Sequence, residues 1–184
     1  KSWNFFKPME ELNADYVNAC KEYDKGNYAV AYEQFYALAC KDDTSSQLNI
    51  ANMLLHGIGT LKNSQKAYVW YKKAADGHDS EAQYIYGWHC IKEGKEKEGI
   101  EYLAQSGDGG YADAVFDLAG FFLRGLYSYE QDMSKAMALF EQAVFMGKRE
   151  ALGGLFYTKR RLDGSIKTAV YFLKNIFKLA KSSN

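Results

Sequence analysis

Hydrophobic positions recur along the chain at helical spacing, and they come in pairs of segments separated by glycine-containing turns. The clearest pair begins at Ser46, and its two segments are joined through Gly57-Ile58-Gly59. Such spacing predicts two antiparallel helices with one apolar face each. Small or apolar residues mark these faces at Ile50, Ala51 and Leu54 in the first segment and at Ala67, Trp70, Tyr71, Ala74 and Ala75 in the second.

The two-helix pattern repeats, with starts near residues 14, 46, 82, 114 and 151. One spacing is constant: Ala31, Ala67, Gly99 and Ala136 each lie fifteen residues before the next start. Since one pair alone cannot bury its apolar face, we predict an all-α solenoid of about five stacked antiparallel helix pairs. Residues 1–13 are expected to form an N-terminal capping segment, residues 14–164 the repeats, and residues 165–184 the second helix of the last repeat, acting as a C-terminal cap.

Composition narrows the function classes. The 23 basic side chains balance the 23 acidic ones, so we expect no nucleic-acid partner, and no apolar run is long enough to predict a transmembrane segment. The three cysteines, Cys20, Cys40 and Cys90, are an odd and widely spaced set, which favours reduced thiols and a cytoplasmic location. Because the sequence starts with Lys1 rather than Met, a removed signal and a periplasmic or exported location stay open.

The sequence carries no recognisable catalytic or metal-binding constellation. His56, His78 and His89 each lack a second ligand at helical spacing. The run Gly57–Lys62 lacks the Gly-Lys-Ser/Thr ending of a phosphate-binding loop, and the carboxylates are scattered over polar helix faces. We therefore expect no metal, no cofactor and no enzymatic activity.

The unit that starts at Ser46 resembles a known repeat. The runs Leu54-Leu55-His56-Gly57-Ile58-Gly59 and Lys66–His78 are similar to the Sel-one-like repeat family, a relative of the tetratricopeptide repeat. The resemblance implies a right-handed α-solenoid that binds a protein or peptide in its concave groove. It favours a bacterial adaptor or scaffold, with an immunity-type inhibitor of a secreted toxin or effector enzyme as the alternative, and a cell-envelope structural protein or an enzyme as further alternatives.

In such solenoids the first helix of each pair lines the inner surface. Counting each repeat start as zero, offsets 2, 6, 9 and 10 fall opposite the packed face of that helix. Trp, Tyr and Arg are enriched there, as in binding hot spots, although Trp88 and Phe116 have the alternative of packing sideways between neighbouring pairs. The predicted partner-binding residues are Tyr16, Tyr23, Asn52, His56, Tyr84, Trp88, Phe116, Arg124, Tyr157, Arg160 and Arg161.

Charge is unevenly distributed along the chain. Residues 148–184 hold nine basic groups and two acidic ones, a balance of +7 that residues 1–147 offset with −7. This end is interpreted either as a solvated terminal helix or as a basic site in which Lys159, Arg160 and Arg161 dock an acidic partner segment or an anionic surface. The apolar stripe of the last predicted helix makes a weak homodimer through that helix a further expectation.

Overall fold

The computed structural model describes residues 14–166 together with Val170 and Lys174. These residues contain helices and no β-strand, which confirms the all-α prediction. The predicted N-terminal cap and most of the predicted last helix lie outside the described residues. The helices of the described part are α1 (Ala14–Asp24), α2 (Tyr28–Ala39), α3 (Thr44–His56), α4 (Ser64–Asp76), α5 (Ser80–Lys92), α6 (Glu96–Asp108), α7 (Ala112–Arg124), α8 (Met133–Phe145) and α9 (Ala151–Asp163).

The described residues form two compact units that divide between Ala82 and Gln83. Unit 1 contains α1 to α4 and the first residues of α5, and unit 2 contains the rest of α5 and α6 to α9. Within each unit successive helices pack against each other: α1 on α2, α2 on α3 and α3 on α4, then α6 on α7, α7 on α8 and α8 on α9. In unit 2 the chain reverses at each short connection between helices that contact each other, from α5 to α9, so α5, α7 and α9 run in the same direction.

Polar residues and glycines explain where several helices begin and end. Asp43, Asn63 and Asp132 precede α3, α4 and α8, and each side chain accepts a hydrogen bond from the backbone N–H three residues later. Helices α3 and α7 end at Gly57 and Gly125, whose φ angles of 72° and 63° lie in the left-handed region that favours glycine. The glycine-containing turn that the sequence predicted after α3 is therefore confirmed.

The small residues at constant spacing lie where helices approach each other closely. Ala31, Ala67 and Ala136 are fully buried, with 0% exposure. A Cβ atom on Gly99 of α6 would lie 2.5 Å from the carbonyl oxygen of Gly87 on α5, so the two backbones are in contact. A larger side chain at these positions would push the helices apart, and this constraint produces the repeat visible in the sequence.

Large apolar side chains fill the space between the helices of each unit. The core of unit 1 includes Phe35, Ile50, Met53 and Tyr71, and that of unit 2 includes Leu103, Val115, Phe121, Phe140 and Leu155. Every first helix directs one side toward such a core.

Candidate partner-binding surface

The predicted binding residues belong to two surfaces, one in each unit. The unit-1 face consists of Tyr16, Tyr23, Asn52 and His56, on α1 and α3. The unit-2 face consists of Tyr84, Trp88, Phe116, Arg124, Tyr157, Arg160 and Arg161, on α5, α7 and α9.

Tyr16 on the unit-1 face is an internal residue. Its exposed fraction is 5%, and its ring packs edge-on against Phe35 with a centroid separation of 5.6 Å. Nδ2 of Asn49 on α3 donates a hydrogen bond to the Tyr16 hydroxyl oxygen over 3.1 Å. Burial raises the pKa of Tyr16 to about 12. The expectation that Tyr16 lies open to a partner is corrected, because its ring and its hydroxyl group are both covered by its own unit.

The other predicted residues of the unit-1 face offer little continuous surface. Oδ1 of Asn52 accepts a hydrogen bond of 2.5 Å from the hydroxyl group of Tyr71, which is fully buried. Tyr23 is half-buried, with its ring edge-on to Tyr28 at 5.0 Å. His56 is exposed at the end of α3. The polar groups of Asn52 and Tyr71 thus stabilise unit 1, and His56 is the member of the set that solvent reaches most freely.

On the unit-2 face, two predicted residues converge on one carboxylate. The hydroxyl group of Tyr84 and Nε1 of Trp88, both on α5, donate hydrogen bonds of 3.0 and 3.1 Å to Oδ2 of Asp117 on α7. Burial raises the pKa of Asp117, although both hydrogen bonds oppose that shift. Burial also raises the pKa of Tyr84, and the charge of Asp117 adds to the effect. These contacts connect α5 to α7 and hold both aromatic side chains in one orientation.

Sequence reasoning missed Asp117. This residue lies at offset 3 of its repeat, next to Phe116, within the otherwise apolar run from Ala114 to Leu123. A lone carboxylate in such a run is costly to bury without hydrogen-bond donors, so its position is a signal that donors lie nearby.

The rings of Trp88 and Phe116 pack between helices, the alternative that the sequence left open. Trp88 is edge-on to Phe121 at 5.9 Å and to Tyr127 at 6.4 Å. Phe116 is edge-on to Phe140 of α8 at 5.8 Å. Both side chains are half-buried rather than covered, so each belongs to the packing of unit 2 and also forms part of its surface.

The basic end of the unit-2 face is open to solvent. Arg124, Arg160 and Arg161 are exposed at the ends of α7 and α9, and Tyr157 is 50% exposed. Nε of Arg124 donates a hydrogen bond of 3.2 Å to the carbonyl oxygen of Gly120, one turn earlier in the same helix. Within the part of the chain that the structure describes, no carboxylate forms an ion pair with these three arginines.

A third surface, which the sequence did not predict, lies mainly on the second helices of unit 1. A cavity of about 330 Å³ is lined by side chains of α2, α3 and α4. The ring of Tyr36 is 43% exposed there and edge-on to Trp70 at 5.7 Å. Sequence reasoning considered only the first helix of each pair and therefore missed it. The lining residues are Tyr32, Glu33, Tyr36, Leu54, Lys66 and Trp70.

The described residues lack two features that other functions would require. They contain no group of three or more His, Cys, Asp or Glu side chains placed to hold a metal ion. Over the same residues, no helix has the length and apolar character needed to span a bilayer.

Antiparallel helix pairs with small residues at their contacts and an aromatic and basic face on the first helices define an α-helical repeat protein. The Sel1 repeat profile matches residues 44–79, 80–111 and 112–144, which is more than half of the chain. The chain therefore belongs to the Sel1 repeat family, as the sequence resemblance predicted. Sel1 repeats generally mediate protein–protein interaction and are typically non-catalytic.

Individual relatives support this assignment. A sel1-like repeat-containing protein of Acanthamoeba polyphaga mimivirus is 35% identical over 82 residues, which is 45% of this chain but 15% of the viral protein. The fold is similar to that of a Sel1 repeat protein from Oxalobacter formigenes, with a TM-score of 0.76, 22% identity, and coverage of 90% of this chain and 72% of the other. It is also similar to a protective antigen of uropathogenic Escherichia coli that displays an SLR fold, with a TM-score of 0.70, 22% identity, and coverage of 92% and 38%.

Proposed function

We propose that this chain is an adaptor or scaffold module that binds a protein or peptide partner on the unit-2 face. The observation that carries the proposal is the exposed ring of Tyr157, one helical turn before Arg160 and Arg161 on α9. These two arginines and Arg124 on α7 form no ion pair within the described residues. Tyr, Trp and Arg dominate binding hot spots because they bury a large area with modest loss of side-chain entropy.

The hydrogen bonds to Asp117 support the proposal further. They fix the orientation of Trp88 and Tyr84 before any partner arrives. A side chain that is already ordered loses less conformational entropy on binding, so a fixed aromatic surface favours affinity. The unit-1 face lacks this combination, because Tyr16 is covered and Asn52 is engaged by Tyr71.

Site-specific photo-crosslinking tests the proposal and requires no candidate partner at the outset. A benzophenone amino acid replaces Tyr157 in one variant and Phe145 in another, and the purified chains are irradiated in lysate of the organism of origin. The positions are matched controls, since Tyr157 is 50% and Phe145 is 48% exposed, and Phe145 lies on the second helix α8. We expect a discrete protein adduct at position 157 and none at position 145.

A third variant with the same amino acid at Tyr36 examines the cavity of unit 1. The absence of an adduct at position 157, or a stronger adduct at position 36 or 145, would overturn the proposed surface. Identification of the adduct then defines the role. A partner that brings further proteins together supports an adaptor, whereas a partner enzyme that loses activity on binding replaces the adaptor with an immunity-type inhibitor.

A further inference from the structure

The basic residues of the unit-2 face occupy equivalent positions in consecutive repeats. Arg124 and Arg161 each lie ten residues after the start of their repeat, and Lys92 holds the same position on α5. Helices α7 and α9 run in the same direction and contact each other. Their last turns, which carry Arg124 on α7 and Arg160 and Arg161 on α9, therefore lie at the same end of unit 2. Lys92, Arg124, Arg160 and Arg161 are all exposed.

The acidic side chains of α7 and α9 are already engaged. Asp163 forms an ion pair of 3.0 Å with Lys159. Asp113 pairs with Lys148, and Asp117 accepts hydrogen bonds from α5. The sequence that follows Gly164 contains no Asp or Glu and four lysines, which are Lys167, Lys174, Lys178 and Lys181. The arginine cluster thus carries an excess of positive charge that the described residues do not neutralise.

Arg124 is also oriented by its own helix. Its Nε donates a hydrogen bond to the carbonyl oxygen of Gly120, and a Cβ atom added to Gly120 would lie 3.3 Å from Nη2 of Arg124. The guanidinium group therefore lies against the bare backbone of α7. Its Nη groups stay available for a carboxylate, which a guanidinium binds with paired N–H donors.

We propose that the partner presents an acidic, extended segment, and that Arg124, Arg160 and Arg161 bind its carboxylates; the inference rests on the proposed function of the unit-2 face. Packed helices lie about 8–10 Å apart, a distance that about three residues of extended chain span. The segment thus carries carboxylates about three residues apart. The partner is a protein segment rather than a phosphate-rich surface, because the exposed ring of Tyr157 lies one helical turn before Arg160 and Arg161 and can contact the side chains of a peptide.

Fluorescence anisotropy with two labelled probe peptides tests this inference on the full chain. One peptide carries glutamate at every third position, and the other carries glutamine at the same positions. We expect the glutamate peptide to bind at least tenfold more tightly, with affinity that falls as salt rises. The double variant Arg124→Gln, Arg161→Gln should lose at least tenfold in affinity for the glutamate peptide.

Two further variants separate site-specific binding from net charge and from folding. Arg149→Gln removes one charge from an exposed position in the turn before α9, and it should change the affinity less than twofold. Gly120→Ala should fold with equal or higher stability, because alanine favours the helix, yet bind the glutamate peptide more weakly because its Cβ displaces the guanidinium. The single variant Arg124→Gln removes the same amount of charge as Arg149→Gln, so an equal loss of affinity for these two variants would overturn the inference, as would equal binding of both peptides.

The failure of this inference is distinguishable from failure of the proposed function. If the benzophenone at position 157 gives the adduct both with the arginines intact and in the arginine double variant, while the two peptides bind alike, the face binds a partner that is not acidic. Absence of the adduct at position 157 when the arginines are intact overturns the proposed function. Tighter binding to phosphatidylserine vesicles than to the glutamate peptide would replace the peptide by a membrane surface and overturn the inference.

Discussion

Two tyrosine contacts, one in each unit, occupy the same place in the repeat and differ in one chemical group. Tyr16 and Tyr84 both lie at offset 2 of a first helix, and their partners Asn49 and Asp117 both lie at offset 3 of the next first helix. In unit 1 the partner is a neutral amide, and the pair is almost fully covered. In unit 2 it is a carboxylate that also accepts a hydrogen bond from Trp88.

The difference shows how one repeat geometry produces two kinds of surface. A neutral pair can be buried at modest cost, so Tyr16 becomes part of the packing between α1 and α3. A carboxylate requires more donors and resists complete burial. Asp117 therefore remains half-buried and accepts hydrogen bonds from two aromatic side chains that form part of the surface. Repeat position thus determines which residues meet, and chemical identity determines whether the contact serves stability alone or also shapes a binding face.

The largest expected effect comes from removing the buried side chain of unit 1. Tyr16→Ala should reduce the free energy of unfolding by about 3 kcal/mol, because it leaves a cavity beside Phe35 and removes the acceptor for Asn49. Urea denaturation followed by circular dichroism measures the loss. Tyr23→Ala on the same helix is the control and should cost less, since Tyr23 is half-buried. Equal losses for the two variants would contradict the internal role of Tyr16.

A smaller effect separates the two hydroxyl groups. Tyr16→Phe should cost about 2 kcal/mol, because Nδ2 of Asn49 remains buried without its acceptor. Tyr84→Phe should cost about 1 kcal/mol, since Asp117 keeps the donor of Trp88 and part of its hydration. The difference between the two losses in the free energy of unfolding measures how much more the pair in unit 1 depends on its hydroxyl group than the pair in unit 2. The comparison fails if the substitution in unit 2 is the more costly one.

Much of the helical fold was predictable because close helix contacts constrain residue size. Ala31, Ala67 and Ala136 had to be small at constant spacing, and this spacing was visible without any structure. The turn after α3 was readable for a similar reason, since the left-handed conformation at Gly57 constrains the residue type there.

The surfaces were less predictable because they depend on contacts between repeats. Counting positions on a single helix placed Tyr16 and Trp88 on the same outward side, but it did not show which residue of the next first helix each one meets. The packing of consecutive first helices decides which residues meet. This packing buries Tyr16 and places Asp117 beside Trp88. The cavity beside Tyr36 and Trp70 was missed because it lies on second helices, which that count left out.

The smallest expected effect concerns the pH dependence of the charged pair. Burial raises the folded-state pKa of Asp117 above the ordinary value of about 3.9 for an aspartate. The folded protein therefore binds this proton more tightly than the unfolded chain does, and the contribution of Asp117 to stability decreases as pH rises from about 3.9 through the raised folded-state value. Above that value the contribution of Asp117 to stability no longer changes with pH.

Asp117→Asn removes this titration while retaining an oxygen that accepts from Tyr84 and Trp88. Subtracting the free energy of unfolding of the variant from that of wild type cancels the other titrating groups. This difference should therefore decrease as pH rises across this window. Denaturation series at several pH values between about 3 and 7 measure it. A constant difference would show that Asp117 is as well solvated in the folded chain as in the unfolded one, and that the two tyrosine pairs differ in donor number rather than in buried charge.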